Sequence, residues 1–122
     1  RGAAAVKLGL IDSMEEALAR ATNRPSVGFV SAAQSATTLT GDGLTAADGD
    51  VTARMISMGD PHRALPGTCS TCLAVASQVD GTLVHRNTRP AENGDVRLMH
   101  PSGILHAAAH VRRDWHDGRR RI

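Results

Sequence analysis

Apolar and polar residues recur with two different periods along this chain, and together they predict both helices and strands. Residues 3–10 are rich in Ala, Val and Leu and indicate a helix that ends near Gly9. Ser13–Glu16 fits a capping box, which predicts a short amphipathic helix reaching residue 21. Strands are predicted at 26–32, 82–85, 96–99 and 104–111, with turns at Asp80-Gly81, Asn93-Gly94 and Pro101-Ser102-Gly103.

Residues 50–58 alternate in part, and the long connection at 34–49 before them is irregular, rich in Thr, Ser, Gly, Ala and Asp. A period of two places the side chains of Val51, Ala53, Met55 and Ser57 on one face.

A run of small and aliphatic residues at 68–79 differs from the segments on both sides. A helix that is apolar on most sides is usually buried, so 68–79 is predicted to be a central helix with Thr68 as its N-cap. The first N–H groups of a helix have no intrahelical partner, and this end opens at Pro66-Gly67, which suits a carboxylate or a phosphate. Strands around one buried helix predict an α+β domain rather than repeated βαβ units.

Length and composition narrow the classes of function. The 122 residues suffice for one domain, and a start at Arg1 with a stop at Ile122 suggests a fragment. The net charge of +2, without a basic stripe carrying aromatic residues, argues against a nucleic-acid partner. No apolar run reaches membrane-spanning length, so no membrane partner is expected. Two cysteines give no disulfide framework, which makes a reducing cytoplasm the expected compartment.

Cys69 and Cys72 form a CxxC pair at the predicted helix start, where the helix dipole favours a thiolate. A redox motif normally follows a strand within a βαβ unit, whereas this one follows Pro66-Gly67. A structural zinc site needs four ligands, and the spacing of His62 and His100 from the cysteines fits no common zinc module. A metal or redox function is therefore the weaker interpretation of this pair.

The loop His100-Pro101-Ser102-Gly103 is a second place where a carboxylate is expected to bind. It combines a hydroxyl, backbone N–H groups and a flexible glycine. The same four residues also describe an ordinary β-turn without a ligand.

Three ordered blocks of the chain resemble the PrpF family, which contains 2-methylaconitate cis-trans isomerase, aconitate isomerases and oxalomesaconate tautomerases. The first block runs from His62-Arg63-Ala64-Leu65-Pro66 through Thr68 to Cys72. The others are Asp80-Gly81-Thr82-Leu83-Val84 and Val96-Arg97-Leu98-Met99-His100-Pro101-Ser102-Gly103. Residues 1–10 resemble the helix that this family carries before its second half, so the resemblance spans nearly the whole chain.

The resemblance implies a diaminopimelate-epimerase-like fold, in which each of two halves wraps a mixed or barrel-like sheet around a central helix. Residues 1–122 are then a single domain like the C-terminal half of a two-domain isomerase, with 68–79 as the central helix. The implied reaction is acid–base proton transfer without a cofactor or metal, shifting a double bond or its geometry in an aconitate-like carboxylate. The implied partners are that acid and either the missing N-terminal half or a second copy of the chain.

The resemblance also assigns residues to the substrate, through helix N-termini and turn amides. Relatives commonly carry Gly where this chain has Cys69, and similarity to the epimerases makes its thiol an expected catalytic acid or base. The family's principal acid and base are expected in the N-terminal half. The expected substrate-binding residues are His62, Arg63, Thr68, Ser70, His100, Ser102 and Gly103.

Two alternatives from other classes stay open at this point. One is a non-catalytic half-domain that binds a ligand or assembles with itself, because a half-barrel without its partner exposes an apolar face. The other is the CxxC metal or redox protein described above.

Overall fold

The computed structural model describes residues 2–19, 25–57, 59–89, 93–112, 114–116 and 119–121. The helices are α1 (Gly2–Lys7), α2 (Met14–Ala19), α3 (Gly67–Ser77) and α4 (Leu83–Asn87). The strands are β1 (Val27–Ala32), β2 (Ala36–Thr37), β3 (Gly43–Leu44), β4 (Val51–Ser57), β5 (Asp60–Pro61), β6 (Asp95–His100), β7 (Gly103–Ala108), β8 (Asp114–His116) and β9 (Arg119–Arg121). Within these ranges, no helix is long and apolar enough to cross a membrane.

The two N-terminal helices form near the predicted positions. Gly9 has a φ of 66°, the left-handed conformation that ends α1 and favours glycine. The Oγ of Ser13 accepts a hydrogen bond from the N–H of Glu16 at 3.1 Å. The Glu16 carboxylate accepts a hydrogen bond from the N–H of Asp12 at 3.1 Å. In a reciprocal capping box it would accept from the N–H of Ser13, one residue later. Residues 20 and 21 lie outside the described residues.

The main sheet has the strand order β1-β4-β6-β7, with β5 paired to β4. β1 is antiparallel to β4 and β6 is antiparallel to β7, whereas β4 and β6 are parallel. Parallel neighbours require a crossover connection, and here the chain passes from β4 to β6 through α3 and α4. The helix predicted to be central is therefore the crossover of a mixed sheet.

The core lies between α3 and one face of β4 and β6. The alternation predicted for 50–58 is present, because Val51, Ala53 and Met55 are buried on this face. On the outer side of α3, Val75 is 39% exposed and Cys72 is exposed. In the described part of the chain α3 is therefore buried along one side, rather than on most sides as its composition predicts. The other buried members of this core are Leu65, Leu73, Ala74, Val96 and Leu98.

The strand predicted at 82–85 is wrong, since these residues begin α4. Thr82 is the N-cap, and its Oγ1 accepts the N–H of His85 at 3.0 Å. Gly81, with a φ of 86°, turns the chain immediately before this cap. A hydroxyl that satisfies a first-turn N–H starts a helix, and this local bond outweighs the strand preference of the aliphatic residues that follow. Leu83 is left 67% exposed.

A salt bridge between the buried Asp50 and the half-exposed Arg97 fixes the start of β4 to β6. The Asp50 carboxylate accepts hydrogen bonds from Arg97 Nη2 at 2.7 Å, from Nε at 3.1 Å and from the backbone N–H at 2.8 Å. The Asp50 carbonyl also accepts from the N–H of Arg89 at 3.1 Å. Burial by itself raises the pKa of Asp50, but the hydrogen bonds from Arg97 outweigh it and hold the pKa below its ordinary value.

Asp50→Asn should lower the free energy of unfolding by about 2 kcal/mol at pH 7, since hydrogen bonds to a charged group contribute about 1.5–3 kcal/mol. Because the pKa of Asp50 is lower in the folded state, its contribution is present above the ordinary value of 3.8 and is lost as the pH falls below it. Urea unfolding of both proteins should therefore show a difference that shrinks from about pH 5 to about pH 2.

Asp60→Asn is the matched control for this measurement, because Asp60 is exposed and makes no hydrogen bond through its carboxylate among the described residues. It should change the free energy of unfolding by less than about 0.5 kcal/mol. Equal losses in the two variants, or a difference that does not change with pH, would contradict the role given to Asp50.

Candidate functional site

The start of α3 leaves its first backbone donors free. The N-cap is Pro66, with φ −57° and ψ 139°, and among the described residues no side chain accepts a hydrogen bond there. The first N–H bonded within the helix is that of Ser70, which donates to the Pro66 carbonyl at 2.9 Å. The N–H groups of Gly67, Thr68 and Cys69 thus form the unpaired positive end of the helix.

The prediction that Thr68 caps this helix is wrong, because Thr68 lies within its first turn. Its side chain is exposed and its hydroxyl makes no hydrogen bond to the residues that the structure describes. The neighbouring hydroxyls are already used, since Ser70 Oγ and Thr71 Oγ1 both donate to the Gly67 carbonyl, at 2.7 and 3.1 Å. Of the three hydroxyls in this turn, that of Thr68 is therefore the one available to a ligand, and the predicted binding role of the Ser70 side chain is not supported.

A polar pocket of about 250 Å³ lies at this helix end. His62 borders it, and its Nδ1 lies 2.9 Å from the carbonyl oxygen and 3.1 Å from the backbone nitrogen of Ala64. The Nδ1 side of the ring is thus held by the loop, and Nε2 is the nitrogen left for a ligand. The pocket is lined by Ser26, Met55, Ile56, Ser57, His62, Pro66, Thr68 and Cys69.

The structure brings only part of the predicted site to this pocket. His62, Thr68 and Cys69 line it, whereas His100, Ser102 and Gly103 do not. Sequence reasoning missed Ser26 and Ser57, which lie at the ends of β1 and β4, because a serine at the end of a strand has no pattern of its own.

The turn after β6 supports the loop that carries His62. The hydroxyl of Ser102 donates to the Arg63 carbonyl, and the N–H of Ser102 donates to His100 Nδ1 at 3.2 Å. Neither group is free for a carboxylate, so Ser102 positions the loop in place of the predicted direct contact. Gly103 has a φ of 135° and opens β7 opposite His100.

His100 is a buried histidine close to a positive charge. Burial lowers its pKa, and the nearby Arg54 guanidinium lowers it further. Arg54 Nη1 donates to the carbonyls of Ala53 at 2.8 Å and Met99 at 3.3 Å, and burial lowers the pKa of Arg54 as well. His100 is therefore neutral at pH 7, with Nδ1 as the acceptor for the N–H of Ser102.

A second, apolar cavity of about 550 Å³ adjoins the polar pocket. It lies between one face of β1 and the helices α3 and α4, and we call it the apolar groove. Ser26, Met55, Thr68 and Cys69 border both cavities. The residues that line only the apolar groove are Gly28, Val30, Cys72, Leu73, Ala76, Leu83 and Val84.

The two cysteines do not favour a metal site. Both are free thiols, and in the described ranges no group of three or more His, Cys, Asp or Glu side chains is arranged to hold a metal ion. Cysteines three apart within a helix have Cβ atoms about 5–6 Å apart, whereas a disulfide needs about 3.5–4.5 Å. A disulfide between Cys69 and Cys72 would therefore require α3 to distort.

Ser102→Ala should loosen the loop at 62–64. The lost hydrogen bond to the Arg63 carbonyl should lower the free energy of unfolding by about 1 kcal/mol. In amide NMR spectra the largest shifts away from residue 102 should fall at 62–64, while Ser31→Ala, which removes another exposed hydroxyl, should leave these amides unchanged. Unshifted amides at 62–64 in Ser102→Ala would show that the hydrogen bond does not hold the loop.

The pKa of His100, followed by the NMR signal of its ring Cε1–H, should lie below the ordinary value of 6.5. Arg54→Met should raise this pKa by removing the charge, while burial keeps it below 6.5. Because the pKa of His100 is lower in the folded protein than in the unfolded chain, the unfolded chain takes up the proton at a higher pH. His100 therefore stabilises the folded state above pH 6.5, and this contribution is lost as the pH falls below that value. Arg63→Met is the control, and an equal rise in both variants would exclude a specific effect of Arg54.

Comparison with known proteins relates this geometry to a family. Residues 1–120 match the model of the family described as PrpF protein. A 2-methyl-aconitate isomerase from Cupriavidus necator is 37% identical over 105 residues, which are 86% of this chain and 26% of that relative. A 2-methyl-aconitate isomerase from Shewanella oneidensis is 35% identical over 109 residues, which are 89% of this chain and 27% of that relative.

The fold is shared with a solved structure. The crystal structure of methylitaconate-delta-isomerase matches with a TM-score of 0.84 and 24% identity, over 99% of this chain and 31% of that protein. The α+β fold expected from the sequence is thereby confirmed, and the chain spans between a quarter and a third of the length of these relatives. Because the family model matches almost every residue, this chain belongs to the PrpF family.

Proposed function

We propose that this chain is the part of an isomerase that holds the carboxylates of an unsaturated dicarboxylic or tricarboxylic acid during proton transfer. The main observation behind this proposal is the uncapped start of α3, where three N–H donors and the Thr68 hydroxyl lie beside a polar pocket. Such a helix end favours a carboxylate. The names of relatives support the substrate class, since they include 2-methyl-aconitate isomerase and 3-methylitaconate isomerase.

The proposed reaction moves one proton within the acid. A base removes a proton from a carbon next to both the double bond and a carboxylate, and the C–H electron pair enters the allylic system. An acid then returns a proton to either end, so the double bond moves or changes geometry without net oxidation, and no redox cofactor is needed. Negative charge that grows on the carboxylate oxygens is stabilised by the donors of α3.

Named side chains support three roles in this step. Cys69 carries a half-buried thiol beside the pocket, makes no hydrogen bond through that thiol in the described residues, and is the proposed acid or base of this chain. His62 donates from Nε2 to a carboxylate oxygen. Arg63 lies in the same loop as His62. Its side chain is exposed and supplies a positive charge for a second carboxylate.

The remaining acid–base group comes from outside this chain. We place residues 1–122 as a single domain in the C-terminal half of a two-domain isomerase. The short span of the chain relative to its relatives supports the view that it is one part of a larger protein. The active site then lies in the cleft between this domain and the N-terminal half.

A second candidate is a half-domain that binds the acid without chemistry and associates with another copy. The observation that favours it is Leu83, which borders the apolar groove and is 67% exposed. Deuterium incorporation separates the two functions, because only the isomerase exchanges a carbon-bound hydrogen of aconitate-like acids with D₂O.

Titration with tricarballylate, a saturated mimic of aconitate, tests the carboxylate cradle by amide NMR. Saturable shifts are expected at Gly67, Thr68 and Cys69. Thr68→Val keeps the side-chain shape and removes the free hydroxyl, so binding should weaken about fivefold to tenfold, a loss of about 1–1.4 kcal/mol.

Thr71→Val is the matched control on the same turn, because the Thr71 hydroxyl is already bonded to the Gly67 carbonyl. It should change the affinity less than twofold. The proposal fails if tricarballylate gives no saturable shifts at the start of α3, or if both valine variants weaken binding equally.

A further inference from the structure

The polar pocket and the apolar groove are adjacent at the start of α3, and together we call them the trough. Ser26, Met55, Thr68 and Cys69 border both, so these residues lie where the two cavities meet. The trough is polar where α3 begins and apolar along the flank of α3 toward α4. A ligand with a carboxylate at one end and a hydrocarbon at the other matches both parts.

Cys69 stands at the junction of the two cavities. Its side chain packs against the hydrophobic core and borders both the polar pocket and the apolar groove. Cys72 borders the groove but not the pocket. Residues three and four apart lie on one face of a helix, so Cys69, Cys72 and Ala76 follow one another along the groove.

The apolar groove is much larger than a methyl group requires. A methyl group is about the size of a water molecule, whose share of liquid volume is about 30 Å³. The groove volume of about 550 Å³ therefore has room for a branch of several carbons.

We propose that a hydrocarbon branch next to the bound carboxylate lies in the apolar groove, and that Cys69 and Cys72 determine the branch length that is accepted. This inference rests on the proposed function, because the carboxylate in the cradle fixes where the branch starts. It adds a substrate class, alkyl-substituted acids with branches longer than methyl, and two specificity-determining side chains. The thiol of Cys69 then has a steric role in addition to its proposed acid–base role.

A series of saturated acids tests this inference on the 122-residue chain. Succinate, methylsuccinate and butylsuccinate share the head group and differ only in the branch. Head-group shifts should appear at 67–69 in every titration, and branch-dependent shifts at Cys72, Ala76 and Leu83. Each buried methylene should tighten binding up to about fourfold, which gives a tenfold to sixtyfold gain from methylsuccinate to butylsuccinate.

Two substitutions within the groove should remove this gain. Cys69→Val narrows the junction with a β-branched side chain, and Cys72→Leu fills the groove one turn further along. In each variant we measure the ratio of the dissociation constant of methylsuccinate to that of butylsuccinate, so that any change in head-group binding cancels. The ratio should fall below about threefold, whereas Val75→Leu, on the same helix but outside the groove, should keep the wild-type ratio.

The other possible outcomes distinguish failure of the branch site from failure of the proposed carboxylate site. Equal affinities across the series, with head-group shifts retained, overturn the branch site but leave the carboxylate cradle. No binding of any acid overturns the proposed function itself. The branch site is also overturned if 1-butanol alone reproduces the groove shifts with the same affinity as butylsuccinate. Sedimentation that shows a dimer shielding Cys72, unchanged by butylsuccinate, assigns the groove to a second copy and overturns it as well.

Discussion

The packing of α3 on the strands β6 and β7 is the constraint on which the rest of the structure depends. Ala74 on α3 is completely buried and Ala107 on β7 packs against the same core, since alanine allows a helix to approach a sheet closely. β6 in turn pairs with β4, so this packing holds α3 against the sheet that carries the end of β4. The N–H of His62 donates to the Met55 carbonyl at 2.7 Å, so the loop between the two elements is held to the same strand. The first turn of α3, which is the proposed carboxylate site, is therefore positioned by the backbone.

The first N–H groups of α3 have no side-chain partner among the described residues, because the hydroxyl groups nearby are used elsewhere. Ser70 and Thr71 both bond to the Gly67 carbonyl, and Ser102 bonds to the Arg63 carbonyl. Pro66 at the N-cap brings no acceptor to the first turn. A serine or aspartate there would bond to these N–H groups and stabilise the helix by about 1 kcal/mol, but it would occupy the donors that a carboxylate needs. The uncapped start is a local loss of stability of the kind found at binding sites.

Two similar sequences show how far the fold follows from local pattern. Gly67-Thr68 and Gly81-Thr82 both place a threonine after a glycine before an aliphatic run. Thr82 is the N-cap of α4, whereas Thr68 lies inside α3, whose N-cap is Pro66, two residues earlier. Strand alternation in β4 is predictable from periodicity, since burial of one face imposes it, and the helix is predictable from its run of small and aliphatic residues. The cap and the partner of each hydroxyl depend on contacts such as Ser102 with Arg63, which join residues distant in the chain.

The helix α3 contributes to both parts of the trough, so the polar pocket and the apolar groove are held in a fixed position relative to each other. The first turn of α3 supplies N–H donors, and the flank that follows supplies an apolar wall at helical spacing. The backbone N–H of Cys69 belongs to the first set and its side chain to the second. Any substitution other than proline at this position therefore changes the shape of the groove while leaving the N–H donor in place, because the donor is part of the backbone. Under the proposed function, the head group is recognised by main chain and the branch by side chains, so branch preference is free to change among sequences that keep the same cradle.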